Sequence, residues 1–221
     1  PLLSSLALTM AVNLSPLIAE PAKITKQIER ANLSFNLGLS NYKRSNYSEA
    51  IHYLSSAVRD INTALESQSS NPNLYMLRGL IYGWQRAALS ERASIGLGSP
   101  EQQNSDFSLS YMFSELAIND FTTAMQIDPN LIEAYVERGN EKMVLMGVGK
   151  PKDAIKDYSE AIKLKPDFAE AYIRRGLANK KLSTGLFSKK PMNKSKVCPD
   201  WEKAYSLGSK EAAVLLTKHC K

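Results

Sequence analysis

Apolar residues recur at helical spacing through most of this 221-residue chain. Two segments place alanine, an aromatic residue and a second alanine four and three positions apart: Ala117, Phe121 and Ala124, then Ala154, Tyr158 and Ala161. Residues with this spacing share one helix face, and alanine lets a neighbouring helix approach closely. The pattern predicts helices that pack in close pairs.

A longer motif repeats along the chain. DPNLIEAYVERG at 128–139 recurs as KPDFAEAYIRRG at 165–176, and NPNLYMLRG at 71–79 is a shorter copy. The stretch from Leu37 to Val58 contains the same small and apolar positions, Gly38, Ala50, Leu54 and Ala57. Self-similarity of this kind predicts a repeat architecture, here with units at about 31–70, 71–131, 132–168 and 169–207.

These repeats resemble the tetratricopeptide repeat (TPR) family. Tyr75, Tyr135 and Tyr172 match the family's first-helix aromatic position, and Gly38, Gly79, Gly139 and Gly176 match its close-packing glycine. The resemblance implies an all-α fold: a right-handed helical solenoid of about four helix-turn-helix units over residues 23–207. Residues 208–221 are expected to form a capping helix, because the last unit needs its apolar face covered.

The second unit departs from the pattern. Between Gly79 and Ala117 it carries roughly 26 residues more than the family's period of about 34 allows. Helical spacing persists up to Gly96, Gly98 and Pro100, which predicts an extended helical hairpin. Four large side chains in it are candidate partner-binding residues: Trp84, Tyr111, Met112 and Phe113. The alternative is that they pack the two long helices together.

The resemblance also implies a concave groove lined by the first helix of each unit. Its candidate residues here are Asn36, Leu39, Lys43, Met76, Leu80, Glu133, Glu137, Asn140, Arg174, Leu177 and Lys181. Some family members grip the acidic tail of heat-shock chaperones with Lys and Asn, but Phe35 and Leu39 occupy two of those places. A chaperone tail is therefore not the expected partner, whereas an amphipathic helix or an extended peptide suits the groove.

Positive charge is concentrated at one end of the chain. Residues 180–221 hold 10 basic and 3 acidic side chains, against 18 and 19 in residues 1–179. A predicted loop between Leu182 and Cys198 carries Leu186 and Phe187 beside four lysines, Lys189, Lys190, Lys194 and Lys196. This loop is either an anion-binding contact or simply a solvated loop.

The first 22 residues differ from the rest. They contain an apolar run from Leu2 to Val12 and no basic residue before Lys23. The run resembles a secretory leader, and the alternative is a helix that caps the array. A leader would allow membrane association through the N-terminus and would place the mature protein outside the cytosol.

The two cysteines, Cys198 and Cys220, stand at the outer ends of the closing helical hairpin. Antiparallel helices of similar length bring such ends together, which predicts a disulfide. A disulfide agrees with a leader and with an extracytoplasmic location, the periplasm, an organelle lumen or the exterior. Two reduced thiols in a cytosolic protein are the alternative.

Residues with the spacing of a catalytic or metal centre are not evident. His52 and His219 lie far apart in sequence, no C-x-x-C spacing occurs, and the GVGKPKD segment at 147–153 lacks the Ser or Thr of a phosphate loop. We therefore expect no catalytic residues, metal or cofactor. The leading hypothesis is a protein-binding scaffold, for instance an assembly subunit of a larger complex. Binding of an acidic partner, nucleic acid or anionic lipid through the basic end is the second, although nucleic acid lacks a motif, and self-association is a third.

Overall fold

The computed structural model describes residues 22–144, 150–184 and 191–220. All secondary structure in these ranges is helical, as predicted. The helices are α1 (Ala22–Lys43), α2 (Tyr47–Ser67), α3 (Pro72–Ser94), α4 (Pro100–Ile127), α5 (Ile132–Val144), α6 (Pro151–Leu164), α7 (Ala169–Thr184), α8 (Lys194–Ser206) and α9 (Lys210–His219). The leader-like segment and Lys189 and Lys190 of the predicted basic loop lie outside the described residues.

Successive helices pack as pairs, α1 with α2, α3 with α4, α5 with α6 and α7 with α8, and α9 packs on α8. The first pair begins at Ala22, earlier than the predicted start near residue 31. Contacts divide the chain into two compact units, 1–129 and 130–221. The first unit contains α1–α4 and the second contains α5–α9.

Helix boundaries follow from capping chemistry. Proline occupies the first position of α3, α4 and α6, where its missing N–H costs no helical hydrogen bond. Asn71 and Ser99 accept hydrogen bonds from the first turns of α3 and α4. Gly208, with φ of 89°, ends the hairpin turn between α8 and α9, and Ser209 caps α9. The sequence thus fixes where each of these helices begins.

Glycine lets the two helices of a pair approach closely. A Cβ added to Gly139 would lie 2.6 Å from the Tyr158 ring, and one added to Gly176 would lie 2.3 Å from Trp201 Nε1. Both rings are fully buried, each contributing about 2–3 kcal/mol through the apolar surface removed from water. Gly79 approaches Phe121 in the same way. The same close contact between a glycine and an aromatic ring therefore joins the two helices in three of the helix pairs.

An ion pair stands beside each of these contacts. The arginine before the glycine forms two parallel hydrogen bonds with the aspartate before the aromatic residue, over distances of 2.6–3.1 Å. These pairs are Arg78 with Asp120, Arg138 with Asp157, and Arg175 with Asp200. Because a planar guanidinium matches a carboxylate in both position and direction, each pair fixes the register of its two helices.

The second pair is the extended hairpin that the sequence predicts. Helix α3 has 23 residues and α4 has 28, against 13 and 14 for α5 and α6. Gly96 and Gly98 at its tip adopt φ of 73° and 93°, a region that favours glycine. Both helices run the length of the insertion and pack against each other throughout.

Helix α9 closes the second unit. Its Ala212 is buried against Ile173 and Ala204, and Leu215 packs on the same cluster. The opposite face is mostly polar and exposed, with Lys210, Glu211, Thr217 and Lys218. Such a polar outer face is what a terminal capping element requires. Within the described residues, no helix combines the length and the apolar content that crossing a bilayer would need.

Candidate functional site

The hairpin formed by α3 and α4 carries the most prominent apolar surface. Leu109, Tyr111 and Met112 of α4 are 37%, 48% and 44% exposed. Positions three and four apart share a helix face, so Leu109 and Met112 are neighbours and Tyr111 flanks them. At the tip, Ile95 and Leu97 are also half exposed. We define the hairpin face as Leu109, Tyr111 and Met112.

The other two predicted hairpin residues, Trp84 and Phe113, lie between helices and not on the hairpin face. Trp84 is buried, because it lies on the inner side of α3 and packs edge-on against Tyr42 at 5.0 Å. Phe113 is partly buried because its ring stacks on that of Tyr82 of α3, with 5.7 Å between the ring centroids. Trp84 therefore packs α3 against α1, and Phe113 packs α4 against α3, so neither residue forms part of the exposed hairpin face. Burial, with Glu91 as the next cause, raises the pKa of Tyr42 to about 12.

A buried ion pair stiffens the outer part of the hairpin. Arg92 of α3 donates two hydrogen bonds to Asp106 of α4, at 2.8 and 2.7 Å, and Gln102 donates a third at 2.9 Å. The Asp106 side chain is fully buried. The Arg92 hydrogen bonds hold the pKa of this carboxyl below its ordinary value. The hairpin face is therefore carried by a fixed helix.

The predicted groove residues separate into three groups. Asn36, Lys43 and Lys181 are exposed, and Glu133, Arg174 and Leu177 are half-buried. Leu39, Met76, Leu80, Glu137 and Asn140 are buried. The buried group corrects the groove prediction, because side chains covered by their own unit cannot contact a partner. Phe35, the residue that argued against a chaperone clamp, is buried as well.

In the second unit, the buried polar groove residues form an internal network. Tyr158 donates to Asn140 Oδ1 at 2.9 Å, and Asn140 donates to Glu137 at 3.1 Å. Burial raises the pKa of Tyr158 well above its ordinary value, with Arg174 opposing the shift. Arg174 itself pairs with Glu170 on the same helix at 2.6 Å. These groups satisfy one another, which explains how polar residues occupy core positions.

The cysteines form the predicted disulfide. Cys198 lies in the second turn of α8 and Cys220 directly follows α9, with their Cα atoms 5.9 Å apart. His219 contacts the Trp201 ring at 5.8 Å between centroids, and Lys180 Nζ lies 3.0 Å from His219 Nε2. The disulfide and these contacts fasten the end of α9 to α7 and α8. Lys194 and Lys196 are exposed at the start of α8.

The side chains that could bind a metal ion are dispersed over the described part of the chain. Across the described ranges, no three His, Cys, Asp or Glu side chains stand close enough together to hold a metal ion. His52 contacts Tyr53 in the first unit, whereas His219 lies in the second unit.

The paired helices define this chain as a helical-hairpin repeat protein. The family model described as a TPR repeat matches residues 149–183, which span α6 and most of α7. This match, the repeated sequence motif and the four helix pairs all support TPR-type repeats in the chain. The search of curated proteins found no match.

Several solved structures are similar to the chain over most of its length. A MamA protein is 20% identical, with 84% of this chain and 95% of MamA covered and a TM-score of 0.36. The TPR2AB domain of yeast Sti1, solved as a pHSP90 complex, is 15% identical, with 87% and 99% covered and a TM-score of 0.40. YrrB, a TPR protein with an unusual peptide-binding site, is 17% identical, with 88% and 97% covered and a TM-score of 0.39.

Proposed function

We propose that this protein is a non-catalytic scaffold that binds another protein, and that the hairpin face is its docking surface. TPR proteins commonly mediate protein–protein interaction, and the helix pairs of this chain supply that framework. The observation that carries the proposal is the exposure of Leu109, Tyr111 and Met112 on one helix. Exposed apolar residues grouped in this way mark interaction sites in folded proteins.

The chemistry of the face favours a protein partner. Tyrosine and methionine are enriched in protein interfaces, and tyrosine residues dominate the binding energy of many. The neighbouring exposed positions of α4 are uncharged, Asn104, Ser105 and Ser108. A partner would therefore meet an apolar centre with a polar surround, the usual anatomy of a protein interface.

The support beneath the face lowers the entropic cost of binding. Tyr82 and Phe113 stack between the helices, and Arg92 clamps Asp106 nearer the tip. A face that is already ordered loses little conformational freedom when a partner arrives. The extended hairpin thus provides a rigid projecting surface that the shorter pairs α5 with α6 and α7 with α8 do not have.

Quantitative affinity purification from native extract tests this proposal. The bait proteins are the wild-type chain, a Tyr111→Ser, Met112→Ser variant, and a control variant with Asn119→Ala and Gln126→Ala, exposed positions further along the same helix. We expect one partner to be depleted about tenfold or more with the first variant only, because truncating a hot-spot residue costs about 2 kcal/mol. The recovered partner is then purified and its affinity for all three proteins is measured directly.

The opposite result would remove the hairpin face from the proposal. If the purified partner binds the Tyr111→Ser, Met112→Ser variant as tightly as the wild type, the docking surface is not on α4. Thermal unfolding of both variants provides the folding control, since both carry only exposed substitutions. An unchanged melting temperature assigns any loss of binding to the surface itself.

We also propose that the protein works outside the reducing cytosol. The Cys198–Cys220 disulfide supports this location, because such bonds persist in oxidising compartments. The leader-like residues 2–12 of the sequence support it as well. Trapping free thiols in native cells with a maleimide–polyethylene glycol reagent tests the proposal. Protection of both cysteines until a reductant is added is expected, and immediate labelling would refute it.

A further inference from the structure

One edge of the second unit gathers lysines from several helices. The end of α5 meets the start of α6 through a hydrogen bond from Lys150 N to Lys142 O at 2.9 Å. The end of α7 meets the end of α5, because Lys181 Nζ donates to Met143 O at 2.5 Å. Helices that alternate in direction thus place three helix ends and two helix starts at the same edge.

The remaining contacts at this edge join α7, α8 and α9. Asn193 N, just before α8, donates to Ser183 Oγ of α7 at 3.3 Å. Lys180 Nζ lies 3.0 Å from His219 Nε2 at the end of α9, and the disulfide joins Cys220 to Cys198. We define the lysine edge as Lys180, Lys181, Lys194, Lys196 and Lys218. Four of these side chains are exposed and Lys180 is half-buried.

The described segments of α7, α8 and α9 at this edge, 178–184, 191–197 and 216–220, contain no Asp or Glu. The start of α6 adds Lys150 and Lys152 with one exposed carboxylate, Asp153, and the end of α5 holds the buried Glu141. At the opposite edge of the same unit, segments 160–171 and 202–211 carry five acidic and four basic residues. The positive charge of the C-terminal end is therefore concentrated on one edge, where it produces a positive field.

The behaviour of His219 agrees with this field. Partial burial lowers its pKa, and the charges of Lys180 and Lys218 lower it further. The arginines of the second unit contribute less to this positive field. Arg138, Arg174 and Arg175 are each paired with a carboxylate inside the unit.

We propose that the lysine edge binds an acidic segment of a partner protein. Opposite charge supplies the recognition, since a stretch of Asp and Glu complements a row of lysines and is steered toward it from a distance. The disulfide holds the α8 and α9 lysines side by side, so the edge is assembled before the partner arrives. This surface is separate from the hairpin face, and either proposal can fail without the other.

Two features favour an acidic protein over nucleic acid and lipid. Single-stranded nucleic acid is held by aromatic side chains that stack on bases, and the described ends of α7 and α9 and start of α8 expose no Phe, Tyr or Trp there. An anionic membrane surface is bound most strongly when apolar side chains accompany the basic ones. Two large apolar side chains are prominently exposed on or beside these described ends: Leu182, at 43%, and Val214 of α9, at 65%, one turn before Lys218. They are too few to form an apolar face along the edge.

A matched pair of charge reversals tests the proposal. Lys196→Glu with Lys218→Glu changes the lysine edge, one position on α8 and one on α9. Lys203→Glu with Lys210→Glu changes the opposite edge of the same two helices by the same net charge. In each pair, one new glutamate lies near a helix start, where it stabilises, and one near a helix end, where it destabilises, so the helix-dipole effects balance.

The probes are a fluorescein-labelled poly-glutamate peptide, a poly-thymidine oligonucleotide and vesicles of phosphatidylcholine with phosphatidylserine. We expect the peptide to bind the wild type with an affinity that falls as salt rises. The lysine-edge variant should bind about tenfold more weakly, and the opposite-edge variant should change by less than about twofold.

Three results would overturn the proposal. Equal weakening by both variants means that net charge alone attracts the peptide, and no weakening by the lysine-edge variant means that the peptide binds elsewhere. Tighter binding of the oligonucleotide or the vesicles, lost with the same variant, reassigns the edge to those ligands. Circular dichroism of both variants verifies folding, and Lys196→Gln with Lys218→Gln, expected to weaken binding by less, provides a second lysine-edge measurement.

Discussion

Gly176 and Trp201 approach so closely that a methyl group does not fit between them, since a Cβ at Gly176 would lie 2.3 Å from Trp201 Nε1. The indole N–H at the same time donates to Ile173 O at 3.3 Å. The ring is thereby held against the backbone of α7. This single contact sets the distance between α7 and α8.

Gly176→Ala should destabilise the protein by about 2–3 kcal/mol, because the indole and its hydrogen bond must shift to admit the methyl group. Denaturant unfolding followed by circular dichroism measures the change. In a Trp201→Phe background the smaller ring leaves room, so the same substitution should cost clearly less. Equal costs in the two backgrounds would show that the tight contact is not the cause.

Asp120→Ala should cost about 2 kcal/mol of unfolding free energy, because Arg78 loses both carboxylate hydrogen bonds while remaining mostly covered. The Arg30 side chain, which pairs with Asp60, is 61% exposed, so Arg30→Ala should cost less than about 1 kcal/mol. Unfolding of the two variants under identical conditions makes the comparison. A similar cost for both would contradict the role assigned to the buried pair.

Acid should loosen the hairpin. Hydrogen bonds from Arg92 lower the pKa of Asp106 in the folded protein. The pair therefore stabilises the hairpin above the ordinary aspartate pKa, and that stability is lost as the pH falls through the lowered folded pKa. Hydrogen exchange of α3 and α4 amides across this window should accelerate in the wild type beyond the intrinsic pH effect. In an Asp106→Asn variant that additional acceleration should be absent.

Reduction of the disulfide should loosen the attachment of the capping helix α9 to α8. Cys198 and Cys220 are 22 positions apart, and closing a loop of this size contributes about 3 kcal/mol in the chain-entropy treatment. With a reductant present, amides of α9 should exchange faster than those of α7. A Cys198→Ser, Cys220→Ser variant should behave like the reduced protein with or without the reductant. Unchanged exchange of α9 after reduction would show that packing on α8 alone retains the cap.

The sequence was sufficient to predict the all-α repeat fold, the extended hairpin and the disulfide. These features are local, since glycine, proline and the spacing of small and aromatic residues act within one helix or one turn. The partnership of Gly139 with Tyr158 follows the same rule, because the repeat brings both to corresponding positions of neighbouring helices.

The burial of Trp84 and Leu80 could not be predicted in this way. Periodicity identifies an apolar face but not the number of neighbours that cover the helix, and α3 is covered on more than one side. The ion pairs, by contrast, leave a signal in the sequence. An aspartate directly precedes Phe121, Tyr158 and Trp201, and an arginine directly precedes each partner glycine.

The Arg–Asp ion pairs influence where residues can be inserted into or deleted from the chain. The two partners are 42, 19 and 25 residues apart in the three pairs, yet the same two parallel hydrogen bonds form each time. The contact therefore forms with separations from 19 to 42 residues between its two partners, and loop closure becomes only slowly more costly as residues are added. Whole helical turns can be inserted into or deleted from the segment between the arginine and the aspartate without disturbing the helix packing beside the ion pair. The hairpin is a position where the protein can acquire new surfaces while its framework stays the same.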